Sequence, residues 1–178
     1  MPFTPFHMGA GLIAKAAANH RFSVVTFGIA QIAMDIEPLV GMLRGSPVLH
    51  GFTHTFVGAL LIGIAVMWVS PFICRFILQG YNSEVGFMRL GWLACPERLR
   101  SAVVAGAFFG TFSHIVLDSF MHADIRPFYP FSDQNPLLGL IAVDELYGLC
   151  SVSAVVGLLS WIYVKYKQRA CLPRMYRR

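Results

Sequence analysis

Two long stretches of this chain carry no charged side chain, and they set the strongest limit on what it can fold into. Residues 54–74 and residues 146–164 contain no Asp, Glu, Lys or Arg. A helix of about 20 apolar residues crosses the roughly 30 Å hydrocarbon core of a membrane. Inside that core a helix satisfies its own backbone hydrogen bonds, which irregular chain cannot do. Both stretches therefore predict membrane-spanning helices.

Three further segments extend this prediction to most of the chain. Residues 101–121 are equally apolar except for one His and one Asp, and residues 22–43 are interrupted only by two acids and a proline. Residues 4–18 form a shorter helix, rich in Ala and Gly, that spans the membrane at least in part. Only 13% of the residues are charged, about half the fraction of a soluble domain. We predict an all-α polytopic membrane protein, a single domain forming a bundle of about five helices.

The basic residues predict how the bundle is oriented. If successive helices alternate in direction, the expected loops 15–21 and 75–100 and the tail 165–178 share one side, and they hold all fourteen Lys and Arg except Arg44 and Arg126. Such a side faces the cytoplasm. The first helix is expected to be retained, with the N-terminus outside the cell membrane and the C-terminus inside. The net charge of +5 is assigned to topology and anionic lipid headgroups, so no nucleic-acid partner is expected.

The opposite, outer end collects most of the ionisable groups. It holds every histidine except His20 and every carboxylate except Glu84 and Glu97. Such groups are costly at membrane depth unless they are paired or ligated. Imidazoles mixed with carboxylates suit Zn²⁺, with Mn²⁺ or Fe²⁺ as alternatives. We predict one to three divalent transition-metal ions, and the candidate ligands are His7, Asp35, His50, His54, His114, Asp118 and His122.

The sharpest local motif places three candidate ligands four residues apart. Along a helix His114, Asp118 and His122 drift by only about 40° per step, so they line one face and could converge on one ion or bridge two. His50 and His54 form a second pair with this spacing. The four cysteines have no metal-ligand spacing and are expected to be free thiols.

Two acids in the second segment need a different explanation. Asp35 and Glu37 are two residues apart, which on a regular helix points their side chains about 200° apart. We expect a loss of helical geometry near Pro38 to turn both inward. Asp124 and Asp133 are expected to solvate a loop or cap a helix.

The order of these motifs resembles the YdjM-type family of inner-membrane metal-dependent hydrolases. The resemblance covers residues 3 to about 135, and this chain departs from the family pattern at Leu49-His50 and Glu37-Pro38. The matching elements are His7, the acidic Asp35-Ile36-Glu37, the stretch Gly51-Phe52-Thr53-His54, the motif from Ser113 and His114 to Asp118, and a proline-rich loop from Pro127 to Phe131. It implies a membrane-bound metal site used for hydrolysis.

A more distant similarity suggests which bond is hydrolysed. Asp35, then His50 or His54, then His114 and Asp118 follow the order seen in the helical zinc phospholipase C and P1 nuclease group. The similarity implies a phosphoester substrate, and an outward site in a membrane suits a phospholipid or polyprenyl phosphate.

Catalytic roles follow from that hypothesis. Glu37, or the Asp144–Glu145 pair, is the candidate general base or additional ligand. Arg126 or Arg44, the two outward cations, is expected to hold the phosphate.

Two other functions fit the same residues. A divalent-metal transporter would also place imidazoles and carboxylates among helices, although its ligands should lie near the midplane with access from both sides. A noncatalytic, metal-stabilised assembly or binding protein needs nothing beyond the cluster itself. The sequence leaves the oligomeric state open.

The orientation can be tested with single cysteines in a variant that lacks the native ones. An impermeant maleimide should label Ser46→Cys in intact cells, whereas it should label Glu84→Cys only after permeabilisation, because the Lys- and Arg-rich side faces the cytoplasm. Labelling of Ser46→Cys from the cytoplasmic side alone would reverse the assigned compartment.

Overall fold

The computed structural model describes residues 5–95 and 100–168. These residues form five α-helices joined by loops and short 3₁₀ turns, and they contain no β-strand. The helices are α1 (Met8–Ala18), α2 (Val24–Leu43), α3 (Phe56–Phe87), α4 (Arg100–Met121) and α5 (Val143–Gln168). The predicted all-α bundle of about five helices is confirmed.

Among the described helices, α2 to α5 are each long and apolar enough to cross a membrane. The 11 residues of α1 extend only about 17 Å at 1.5 Å per residue, which is roughly half of the hydrocarbon core. Helix α1 is therefore too short to cross that core by itself.

The third helix is longer than the sequence suggested. Residues 75–100 were expected to be a loop, but α3 continues to Phe87. No proline interrupts this part of the chain, Val85 is buried, and Asn82 exchanges two 2.9 Å hydrogen bonds with the backbone of Cys95. The expectation of a loop over residues 75–87 was wrong, because side-chain contacts with the following turn support helix beyond the apolar stretch.

Helices α2 and α4 lie side by side and run in the same direction. Near one end the Ser23 amide donates to the Ala102 carbonyl at 3.0 Å, and two turns further the Gln31 side-chain amide donates to the Gly110 carbonyl, also at 3.0 Å. Small residues permit this approach, since a Cβ on Gly110 would lie 2.6 Å from the Cβ of Ala30. The shared direction brings the second half of both helices to the same level of the bundle.

Helix α3 completes the core and runs in the opposite direction. The buried side chains of Ala30, Val66 and Ala107 form one cluster, and those of Met34, Ala59 and Ile115 form a second cluster nearer the start of α3. Thr55 caps the N-terminus of α3, since its hydroxyl accepts the Gly58 amide at 2.9 Å. The residues just before that cap are thereby fixed against α2 and α4.

Helix α1 packs against α5. A Cβ on Gly9 would lie 2.2 Å from the Cys150 carbonyl oxygen, and one on Gly157 would lie 2.6 Å from the Leu12 carbonyl carbon. The two helices therefore run parallel at backbone contact. At their far end the Lys15 ammonium donates to the Phe22 carbonyl at 2.9 Å.

The close contact of α2 and α4 can be tested with one methyl group. A Cβ on Gly106 would lie 2.4 Å from the Ser23 carbonyl oxygen, so Gly106→Ala must separate the helices and should cost about 1–3 kcal/mol. Its melting temperature in detergent should fall below that of the wild type. Gly80→Ala is the matched control, because its Cβ would meet nothing within 4 Å. Equal melting temperatures for the two variants would contradict this packing.

Candidate metal centre

Four buried side chains from three elements converge inside the bundle, near the end where α2 and α4 finish and α3 begins. Asp35 comes from α2, His54 from the 3₁₀ turn before α3, and His114 and Asp118 from α4. Each offers one ligand atom, and all four atoms lie within 4.8 Å of one another. The two imidazoles have no exposed surface, and the carboxylate residues are at most 5% exposed. We call these four residues the inner group.

The spacing of the inner group matches the coordination shell of a single ion. The Nε2 atoms of His54 and His114 are 3.3 Å apart, and the Asp118 Oδ2 lies 3.1 Å from the second and 3.6 Å from the first. The Asp35 Oδ1 lies 3.4 Å from His114 Nε2. Ligands about 2.0–2.1 Å from a tetrahedral Zn²⁺ are separated by roughly 3.3 Å. The donor set and its spacing therefore fit a zinc-like ion.

The protonation of His114 is fixed by its partner on α2. The Gln31 side-chain NH₂ donates to the Gly110 carbonyl, so the Gln31 Oε1 is the atom that faces His114 Nδ1, at 2.6 Å. An amide oxygen can only accept, which requires a proton on Nδ1. In the neutral imidazole Nε2 then carries a lone pair directed at the other members of the inner group.

The protonation of His54 is fixed in the same way by a chain of two hydrogen bonds. The Thr53 hydroxyl donates to the Glu37 carboxylate and lies 3.1 Å from His54 Nδ1. Because the hydroxyl has a single proton, it must accept from His54 Nδ1–H. The Nε2 atom of His54 consequently also carries a lone pair directed into the inner group.

A second possible metal position shares Asp118 with the first. His50, His122 and Asp118 also have ligand atoms within 4.8 Å of one another, and we call them the outer group. The His50 and His122 rings are tilted against each other with centroids 4.3 Å apart. Burial lowers the pKa of His122, which favours the neutral imidazole that metals bind.

Asp124 orients His50 in the outer group. Its Oδ1 lies 2.9 Å from His50 Nδ1, and its Oδ2 accepts the backbone amides of Leu49 at 3.0 Å and His50 at 3.1 Å. Burial alone would raise the pKa of Asp124, but these hydrogen bonds lower it to about 2. The ionised carboxylate accepts a hydrogen bond from Nδ1–H of His50, so His50 Nε2 is the ring nitrogen that could bind a metal. Asp124 was expected to serve a loop or a cap, and its contact with His50 adds a role that the sequence did not suggest.

His7 approaches the shared carboxylate from the 3₁₀ turn just before α1. Its Nε2 lies 3.2 Å from Asp118 Oδ1, without a hydrogen-bond geometry, and its ring meets His114 edge-on at 4.8 Å. Among the described residues the ion-pair partners of Asp118 are all imidazoles, those of His7, His54 and His114. His7 belongs to neither group, and its assignment as a ligand stays a prediction.

The proposed base Glu37 lies behind His54. Its carboxylate accepts the Thr53 hydroxyl and the Thr53 amide, the latter at 2.9 Å, and its Oε1 would lie 2.5 Å from a Cβ on Gly51. The expected loss of helix near Pro38 does not occur, since α2 is helical throughout. Instead, the loop after α2 folds back, and Gly51 lets it come close to Glu37.

A cleft opens beside the outer group. It has a volume of about 400 Å³, and its lining includes His50, Asp124, Phe52, Tyr129 and Arg126.

Of the other predicted residues, Arg44 is exposed at the end of α2, and Asp144 and Glu145 are exposed in the first turn of α5. Neither group includes them.

The sequence analysis missed two of the residues that orient the ligands. Gln31 precedes Asp35 by one helical turn, and a polar amide on the face of a buried acid was the signal that could have revealed it. Thr53 was part of a motif but had no assigned role. Its hydroxyl lies between Glu37 and His54, and the contact with Glu37 depends on the folded loop.

Comparison with known proteins agrees with this membrane assignment. The family model of the YdjM inner membrane protein matches residues 4–173. The chain therefore belongs to the YdjM inner membrane protein family and is a multi-pass membrane protein. No curated protein and no solved structure matches it.

The ligand assignment makes a direct prediction for metal content. His114→Ala and Asp118→Ala should each lower the metal bound to detergent-purified protein, since each removes a ligand atom from the inner group. Elemental analysis of the purified variants measures the effect. His20→Ala, at an exposed histidine, is the control and should match the wild type. Equal metal content in all three variants would remove His114 and Asp118 from the ligand set.

Proposed function

We propose that this protein is a membrane-bound metal-dependent hydrolase of a phosphoester, with a lipid phosphate at the outer membrane face as its substrate. The observation that carries the proposal is the inner group, in which two imidazoles and two carboxylates bring their ligand atoms within 4.8 Å of one another. Imidazoles with carboxylates are the donors of hydrolytic zinc centres. The metal we infer is Zn²⁺ or a similar divalent ion.

The chemistry of such an ion accounts for a buried site that lies beside an open cleft. A bound divalent ion lowers the pKa of a water ligand to about 7 and offsets negative charge on phosphoryl oxygens. The inner group supplies the ligands, and Gln31 and Thr53 hold the two imidazoles with their Nε2 atoms inward. The cleft beside His50 is where a substrate phosphate would enter, next to the outer group.

The lining of the cleft suggests an amphiphilic anion as the substrate. Arg126 provides a guanidinium that suits a phosphate, and it forms a 3.0 Å ion pair with Asp133 on the same exposed loop. Val48, Phe52 and Tyr129 add apolar surface, each about half exposed. A phosphate near Arg126 could therefore keep its acyl or polyprenyl chain against apolar side chains and lipid.

Glu37 has two candidate roles in this mechanism. As a general base it would accept a proton from the attacking water, which is the role inferred from the sequence. Its contacts with Thr53 support a second role, in which it acts through Thr53 to hold His54. We treat Glu37 as a positioning residue in that second case, and the variants below separate the two roles.

The packing below the inner group favours hydrolysis over metal transport. A transporter needs a path from the ligands to both sides of the membrane. Toward the Lys15 end of the bundle, the core is filled by Ala30, Val66 and Ala107, none of them more than 4% exposed. A noncatalytic assembly role would also use the cluster, and the assay for turnover distinguishes it.

The first test of the proposed function is turnover. Purified protein with its metal should release phosphate or a phosphorylated headgroup from an anionic phospholipid or a polyprenyl phosphate. Chelation should abolish the reaction and added Zn²⁺ should restore it. A metal-replete protein that hydrolyses neither lipid class, nor a simple aryl phosphate, would favour the noncatalytic role.

The roles of Glu37 and Arg126 can be separated with three variants. If Glu37 is the base, Glu37→Gln should keep its metal but lose turnover by about 10²- to 10⁴-fold. If it positions His54, Glu37→Gln and Thr53→Val should both weaken metal binding by about 10- to 100-fold. Arg126→Ala should mainly raise KM, because it removes a phosphate contact. An unchanged KM and kcat in Arg126→Ala would exclude that contact.

A further inference from the structure

We propose that the centre holds two unequal ions, an inner one enclosed by protein ligands and an outer one whose remaining coordination positions face the cleft. Asp118 bridges the two. The inference rests on the metal-binding part of the proposed function and assigns the substrate-facing position to the outer group, His50, His122 and Asp118.

The first argument is the number of protein ligands. The inner group offers four ligand atoms, enough to complete a tetrahedral shell, whereas the outer group offers three. Zinc sites with four protein ligands are generally structural, and those with three leave a position for water or substrate. On this count the inner ion organises the site, and the outer ion takes the exchangeable ligand.

The second argument is location. The inner group is buried, and its members are at most 5% exposed. In the outer group His122 is partly exposed and His50 lines the cleft of about 400 Å³ that also contains Arg126. A phosphate in the cleft would therefore meet the outer position before the inner one.

The third argument is the orientation of His50. The Asp124 carboxylate accepts a hydrogen bond from Nδ1–H of His50 at 2.9 Å, and two backbone amides donate to the same carboxylate. A carboxylate that holds a histidine through the nitrogen opposite the metal is a common arrangement in zinc sites. If Asp124 served only to solvate a loop, it would not need to hold the His50 ring beside His122 and Asp118.

The bridging role follows from Asp118 itself. Its Oδ2 lies near the Nε2 atoms of His54 and His114, whereas its Oδ1 lies on the side of His7. Asp118 is also the one residue common to both groups. A carboxylate that belongs to both groups and has two oxygens is suited to join two ions.

Metal stoichiometry, measured by elemental analysis after dialysis against metal-free buffer, tests this inference. Wild-type protein and the His20→Ala control should hold two ions per chain, and the double variant His50→Ala/His122→Ala should hold one. A wild type with fewer than two ions, or a double variant with two, would overturn the inference. The count does not depend on turnover, so two ions without phosphoesterase activity would reject only the proposed reaction.

A milder variant guards against misfolding of the double variant. Asp124→Asn keeps the side-chain size but removes the ionised partner of His50, so it should weaken one of two Co²⁺-binding phases by about 10- to 100-fold. Inorganic phosphate should alter the visible absorption of Co²⁺-loaded wild type and leave that of the double variant unchanged. Identical Co²⁺ titrations for wild type and Asp124→Asn would contradict the outer position.

Discussion

The candidate centre is built on four buried side chains, two imidazoles and two carboxylates, whose ligand atoms lie within 4.8 Å of one another. Gln31 and Thr53 accept hydrogen bonds from Nδ1–H of His114 and His54, so in the neutral imidazoles both Nε2 lone pairs point inward, 3.3 Å apart. The carboxylates of Asp35 and Asp118 point at the same place. Acceptors this close repel each other in a medium of low dielectric constant. A divalent cation held between them would replace that repulsion with attraction.

The packing of the helices places these acceptors with little freedom. Because α2 and α4 run in the same direction at close contact, Asp35 and Gln31 both reach His114. The cap at Thr55 and the contact between Glu37 and Thr53 fix His54 from the other side. Side chains from separate elements are thus held in place by the protein alone, which would lower the ordering cost of binding an ion. The loop after α2 matters as much as the helices.

Local sequence patterns predicted the helices and the residue types of the inner group, whereas long-range contacts decided which residues support them. Charge-free stretches predicted the spans, and four-residue spacing predicted that His114, Asp118 and His122 share a face. Helix α3 continues past the apolar stretch, where Asn82 forms hydrogen bonds with the backbone of Cys95, 13 residues later. No local sequence pattern reveals that contact. Asp124 meets His50 across 74 residues. The contacts of Glu37 with Thr53 form only because the loop after α2 folds back. The spacing of Asp35 and Glu37 does not reveal that loop, and the break in the helix that it suggested near Pro38 was wrong.

X-ray absorption of the protein, purified in detergent without chelator, measures the central claim most directly. A Zn²⁺-like centre built from these residues should show an absorption edge, a first shell of nitrogen and oxygen at about 2.0–2.1 Å, and outer scattering from imidazole rings. No sulfur shell at about 2.3 Å is expected, because the proposed ligands include no cysteine. Protein without bound metal, in which protons on the imidazoles balance the two carboxylates, would contradict the account. A sulfur-ligated metal would do so as well.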